Sequence, residues 1–189
     1  TRIAIIGNED WLVPATYDER RFAVFNVGEG RKQDRKFFAS MREGMEEGGY
    51  ANLLRYLMDY SITSDPNHAP DTEGLREQKH YSLDAMQQWW LDCLTEEQIL
   101  GLDYPGWPNE MECEALRGAF RRYVKQRNIT KWVVDDRSFG KALVKFAPSC
   151  RRNRATQVVG GVRRYVYPMY SVEHYRGEWE AFINHKVEW

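Results

Sequence analysis

Long apolar runs are missing from this chain of 189 residues. No stretch approaches the roughly 20 apolar residues of a membrane span, and Arg2 interrupts any signal-like start, so neither a spanning helix nor a secretory leader is expected. Cysteine is scarce: Cys93, Cys113 and Cys150 are odd in number, far apart and never in a C-x-x-C pair. This disfavours a disulfide framework and a zinc site and fits a reducing cytosol. His68, His80, His174 and His185 have no H-x-x-x-H spacing and read as surface or ordinary structural histidines. Also absent are a G-x-x-x-x-G-K-[ST] phosphate loop, whose amides and lysine would hold a nucleotide, and an acidic run ending an apolar strand that would hold magnesium.

Aromatic residues are plentiful, with seven Trp, eleven Tyr and eight Phe. They offer enough large apolar surface for one large domain or two small ones, so the mean hydropathy of -0.70 reflects charge and not disorder. The net charge of -1 hides a strong asymmetry. Residues 1–114 carry 11 Lys and Arg against 22 Asp and Glu, a balance of -11. Residues 115–167 carry 14 against 2, or +12, and residues 168–189 carry 2 against 4, or -2. A compact basic block in an acidic chain is the footprint of a docked polyanion. Because -11 and +12 nearly match, neutralisation within the chain is the rival reading.

The expected class is mixed α+β, mostly helical. Ile3-Ala-Ile-Ile6 reads as a buried strand ending near the polar Asn8, and Arg20-Arg21 leads into a second strand through Phe25. The chain opens without methionine inside that first strand, as expected of a boundary drawn through a larger fold. Phe37, Phe38, Met41 and Met45 recur at helical spacing, Gly48-Gly49 ends that helix, and Leu53, Leu54, Leu57 and Met58 mark the next. Arg31, Lys32, Arg35 and Lys36 cluster near the first helix and read as a solvated face. Ser61–Thr72, with Pro66 and Pro70, is a connecting loop.

Ser82 stands where an N-cap would, with Leu83, Met86, Trp90 and Leu94 as a buried stripe. Trp89 and Trp90 resemble a base-stacking pair, but on a helix they point about 100° apart, so at least one of them is assigned to the core. Thr95-Glu-Glu-Gln98 matches a capping box for a short helix to Leu100. Pro105, Gly106, Trp107 and Pro108 mark a domain boundary. Beyond it, Leu116, Phe120, Tyr123 and Val124 form one helical face while Arg117, Arg121, Arg122 and Lys125 crowd the rest. Ile129–Val134 reads as a short strand. Phe139, Ala142, Leu143 and Phe146 form the buried stripe of the next helix, leaving Ser138, Lys141 and Lys145 on another face that fits a DNA groove. Pro148 stops it. Two β-rich runs, 155–159 and 162–167, around Gly160-Gly161 read as a tight hairpin, and Tyr175–Phe182 as a closing helix. Helix, helix and basic hairpin follow winged-helix order; no middle helix is assigned between Asn128 and Asp136.

The stretch Asn8-Glu-Asp-Trp-Leu-Val-Pro-Ala-Thr-Tyr-Asp-Glu-Arg-Arg-Phe-Ala-Val-Phe25 resembles the sensor-asparagine and arginine-finger region of phage- and poxvirus-type superfamily-three helicases, the motor half of many primase-helicases. The likeness continues through Leu75-Arg-Glu-Gln-Lys79 and Ser82–Leu94. It implies the C-terminal part of an AAA+-like ATPase core over 1–62, a helical connector over 63–106 and a winged-helix-like domain over 107–189. It also implies a hexameric ring, replicative DNA as substrate, primase or other replication proteins as partners, and a bacterial host's cytoplasm. ATP and Mg2+ would be cofactors of the complete enzyme, with none held by this chain alone, which would not hydrolyse ATP.

In that resemblance Asn8 is the sensor that orients the attacking water or touches the γ-phosphate. A turn-forming asparagine is the plain alternative. Arg20 or Arg21 is the finger, whose permanent charge on the transferred phosphoryl group is worth about 10³–10⁵ in turnover. Neighbouring strand residues face opposite ways, so one of the two serves and the other pairs with Asp18 or Glu19. Ser138, Lys141, Lys145, Arg151, Arg152, Arg154, Arg163, Arg164 and Tyr165 are the expected DNA contacts, mostly to phosphate. A stand-alone DNA-binding replication adaptor without motor activity is the alternative function.

Overall fold

The computed structural model describes residues 3–17, 19, 21–63, 65, 69–130, 133–159 and 162–189, with the backbone alone at 154–159 and 162–163. The fold is mixed α+β and mostly helical. It divides into two compact units, Thr1–Asp18 with Gln78–Trp189, and Glu19–Glu77.

The smaller unit holds α1 (Arg35–Gly44), α2 (Tyr50–Asp59) and the first half of α3 (Glu73–Tyr81). Asp34 caps α1 by accepting from the Phe37 amide at 3.0 Å. The break expected at Gly48-Gly49 is present: Gly48 has φ +110°, a conformation that glycine adopts without steric cost. The helices form, but their apolar faces are bare. Leu54, Leu57 and Met58 are 60, 58 and 78% exposed, and only Glu19, Gly74 and Leu75 are buried among the described residues of this unit.

Neither expected N-terminal strand forms. Ile3 and Ile6 are 81 and 97% exposed, and residues 3–7 and 22–27 join no ladder among the described residues. A strand is stable only when neighbours complete its hydrogen bonds and cover its faces, and local β propensity supplies neither.

The larger unit is built on α4 (Ala85–Thr95). Asp84, and not Ser82, is its N-cap: the Asp84 carboxylate accepts from the Met86 and Gln87 amides at 2.9 and 2.8 Å, and the Gln87 side chain accepts from the Asp84 amide. Thr95 ends this helix and starts no other. Trp89 and Trp90, at least one of them expected in the core, are both fully buried. Trp89 reaches Phe120 (5.4 Å between centroids) and Phe139 (6.1 Å), while Trp90 reaches Tyr175 (5.3 Å), Trp107 (5.7 Å) and Phe146 (6.4 Å).

Those contacts join α4 to α5 (Cys113–Gln126), α6 (Phe139–Phe146) and α7 (Val172–Ile183) in one core. The boundaries expected at 62/63 and 106/107 therefore differ from the packing. The Pro-Gly-rich segment turns the chain without separating domains, because both tryptophans project across it. Strands β1 (Glu110–Glu112), β2 (Asn153–Val159) and β3 (Val162–Pro168) form an antiparallel sheet in the order β1-β3-β2. Met111 pairs with Tyr167 and Val159 with Val162, so the hairpin is present, although its Gly-Gly turn lies outside the described residues. The strand expected at 129–134 is absent among the described residues there; the strand that enters the sheet is Glu110–Glu112.

Gly101, with φ +93°, brings the chain against α5: a Cβ there would lie 2.1 Å from the Ala119 carbonyl oxygen. Gly101→Ala should destabilise the larger unit by more than about 1 kcal/mol, measurable by urea unfolding. At the C-terminus, bonds to Glu180 from Lys186, the Trp189 indole and the Val187 amide hold its carboxyl at about 2, below the ordinary 4.5. A depressed folded value stabilises the tail above the ordinary carboxyl range, and that stability is lost as pH falls through it towards 2. The Trp189 indole N–H should lose exchange protection across that window.

Candidate nucleic-acid interface

Phe139, Leu143 and Phe146 seat α6 in the core, which leaves Lys141 and Lys145 exposed one turn apart on the opposite face with Ser138 exposed before the first turn. The start of α6 is held by Asp135, whose carboxylate accepts from the Ser138 and Arg137 amides at 2.9 Å each. These bonds, that from Ser138 foremost, lower its carboxyl below the ordinary range. Its far end is held by Glu178 of α7, which accepts from the Ser149 amide at 3.0 Å and its hydroxyl at 2.5 Å. Both ends of this short helix are thus fixed from outside.

The cations of the basic block fall into two groups. On α5, Arg117 and Arg121 pair with Glu114, and Arg121 also lies 3.6 Å from Asp136. Arg122 donates to the Gly101 carbonyl, and Arg127 pairs with Asp92 at 3.2 Å. Arg164 of β3 pairs with Glu112 of β1. Apart from Arg122, whose partner is a neutral carbonyl, these cations are paired with carboxylates of the chain. By contrast, no carboxylate pairs with Lys141, Lys145, Arg151 or Arg152 among the described residues. Arg152 lies over the exposed ring of Tyr165, 4.4 Å from its centroid, and Arg151 donates to the Pro148 carbonyl.

Of the residues expected to contact DNA, Ser138, Lys141, Lys145, Arg151, Arg152 and Tyr165 are exposed on α6, the linker after it and β3 of one unit. Arg164 is exposed but committed to Glu112. The side chains of Arg154 and Arg163 lie outside the described residues. Charge counting alone missed the division between answered and unanswered cations, because carboxylates as distant as Asp92 and Glu112 supply the answers.

The motif residues near the N-terminus lie in different units. Asn8 is exposed in the larger one, in the bend before a loop docked on α3 and α4. Arg21 belongs to the smaller unit and Arg20 lies outside the described residues. Arg21 grips the buried Glu19 with its backbone amide, Nε and Nη2 at 2.8, 3.1 and 3.0 Å, the pairing expected of one of the two arginines. No group of three or more His, Cys, Asp or Glu suited to a metal occurs among the described residues. Burial raises the Cys93 and Cys150 thiols, the latter to about 12, so neither is an anionic nucleophile near neutral pH.

Asp92 is the hinge of the internal network, accepting from Tyr123 Oη at 2.7 Å and Gln88 Nε2 at 2.8 Å besides pairing with Arg127. Asp92→Ala should cost about 1–3 kcal/mol in denaturant unfolding by stranding these partners, while leaving the α6 face intact. Compared with protein-family models, curated proteins and solved structures, the chain matches none.

Proposed function

We propose that this chain is the C-terminal part of a phage or prophage DNA replication helicase, joining a sensor and finger segment to a winged-helix DNA-binding domain. The observation that carries the DNA half is the unanswered Lys141–Lys145 face on α6, within the order α4-β1-α5-α6-β2-β3 and a β1-β3-β2 sheet. In this reading α5 and α6 form the helix-turn-helix, α6 lies on the duplex and the β2-β3 hairpin is the wing. Lysines, arginines and one stacked tyrosine bind phosphate well and read bases poorly, so binding is largely independent of sequence.

The motor half rests on the resemblance of residues 8–25. Asn8 would face a nucleotide's γ-phosphate, and one of Arg20 and Arg21 would reach it from a neighbouring subunit of a ring. ATP and Mg2+ would be held chiefly by phosphate-loop and acidic residues that this chain lacks, in the cytoplasm of a bacterial host, with primase or other replication proteins beside it. The second reading, a DNA-binding adaptor without a motor, is favoured by the single core cluster that residues 85–183 build among themselves.

Fluorescent duplex DNA titrated across a salt series tests the DNA half. Lys141→Ala with Lys145→Ala should reduce the slope of log K against log salt by about 2, at roughly 0.9 per lost phosphate contact. Arg117→Ala with Arg121→Ala should leave that slope unchanged, since these side chains are engaged by Glu114 and Asp136. Absence of binding at low salt refutes the proposal, and so does ATP hydrolysis by the pure chain.

A further inference from the structure

The loop after Asn8 is anchored by two side chains at the junction of α3 and α4. Gln78, 4% exposed, accepts at Oε1 from the Leu12 and Val13 amides at 2.7 and 3.2 Å, and donates through Nε2 to the Asp10 carbonyl at 2.6 Å. It thereby supplies what a neighbouring strand would. Ser82 Oγ accepts from the Trp11 indole at 3.0 Å and the Ala15 amide at 3.1 Å. Val13 and Ala15 are buried beneath these bonds. At the end of the loop, Tyr17 packs on Phe182 of α7 at 4.0 Å between centroids, and Phe182 packs on Phe146 of α6 at 5.9 Å. An unbroken line of rings thus runs from the Asn8 loop to the buried side of the helix that displays Lys141 and Lys145.

We infer that Gln78 and Ser82 are positioning residues that fasten the Asn8 loop to the DNA-binding body, so that DNA held on α6 steadies the loop that presents Asn8. This rests on the DNA-binding reading above. The coupling needs no large movement: a polyanion that quiets α6 quiets Phe146, Phe182 and Tyr17 in turn, and lowers the entropy cost of keeping the loop docked. Both ends of the Gln78 amide are needed. Glutamate in its place keeps the size and the acceptors but loses the donor, and sets a carboxylate oxygen against the Asp10 carbonyl.

Hydrogen exchange of the full chain, with and without a saturating duplex oligonucleotide, tests this. Duplex should raise protection of the Leu12, Val13 and Ala15 amides by about fivefold or more, the lower end of a typical coupling between sites. Gln78→Glu should lose that increment and, because the coupling is reciprocal, bind duplex up to about fivefold more weakly than the parent. Ser82→Ala, a milder change, should reduce it at Ala15 first. A merely structural clamp would give lower protection in the variants with no dependence on DNA. Unchanged protection at these amides in a parent chain that demonstrably binds duplex overturns the coupling and leaves the DNA-binding reading standing. Failure to bind duplex overturns both.

Discussion

The packing of Trp89 and Trp90 is the constraint on which the larger unit depends. Adjacent on one helix, the two indoles point to different sides, so α4 cannot be satisfied by a single neighbour. One side is filled by Phe120 and Phe139, the other by Tyr175, Trp107 and Phe146. Truncating such a residue to alanine typically costs about 3–5 kcal/mol, a large share of a domain's stability. The arrangement of α5, α6 and α7, and with it the outward face of α6, follows from filling those two sides.

Electrostatics then decides which part of the basic block is available. A surface ion pair contributes little to stability, but it removes a charge from the field that a polyanion feels. Arg117 and Arg121 of α5 are spent on Glu114 and Asp136, Arg127 at its end on Asp92, and Arg164 of β3 on Glu112. Internal neutralisation, one of the two readings of the charge asymmetry, therefore accounts for part of the basic block. Arg117, Arg121 and Arg127 are neutralised internally, while Lys141, Lys145, Arg151 and Arg152 on α6 and the linker after it have no carboxylate partner among the described residues.

The smaller unit presents the opposite situation, with sound local structure and almost no core. Its helices are amphipathic, α1 is capped and a glycine breaks them at the expected place, yet the apolar faces of α1 and α2 remain exposed. Helices of this length owe most of their stability to packing, so this unit lacks the burial that would fix it independently. The Asn8 loop is different, because the larger unit holds it through Gln78, Ser82 and Phe182.

What the sequence by itself determined is what depends on near neighbours. Period and turn residues marked α1, α2, α6 and the hairpin, the stripe Phe139–Phe146 named the buried face of α6, and the same period exposed Lys141 and Lys145. Local pattern failed where the outcome depends on distant partners. Ile3–Ile6 has the composition of a strand but no ladder, while Glu110–Glu112 has little strand propensity and gains a ladder because β3 passes beside it. Ser82 matches an N-cap, but its hydroxyl is taken by Trp11 and Ala15, some seventy residues away, and Asp84 caps the helix. Only the tertiary structure could decide which arginines find a carboxylate partner and which helix completes the core, because hydrogen bonds, ion pairs and aromatic contacts depend on distance in space and not along the chain.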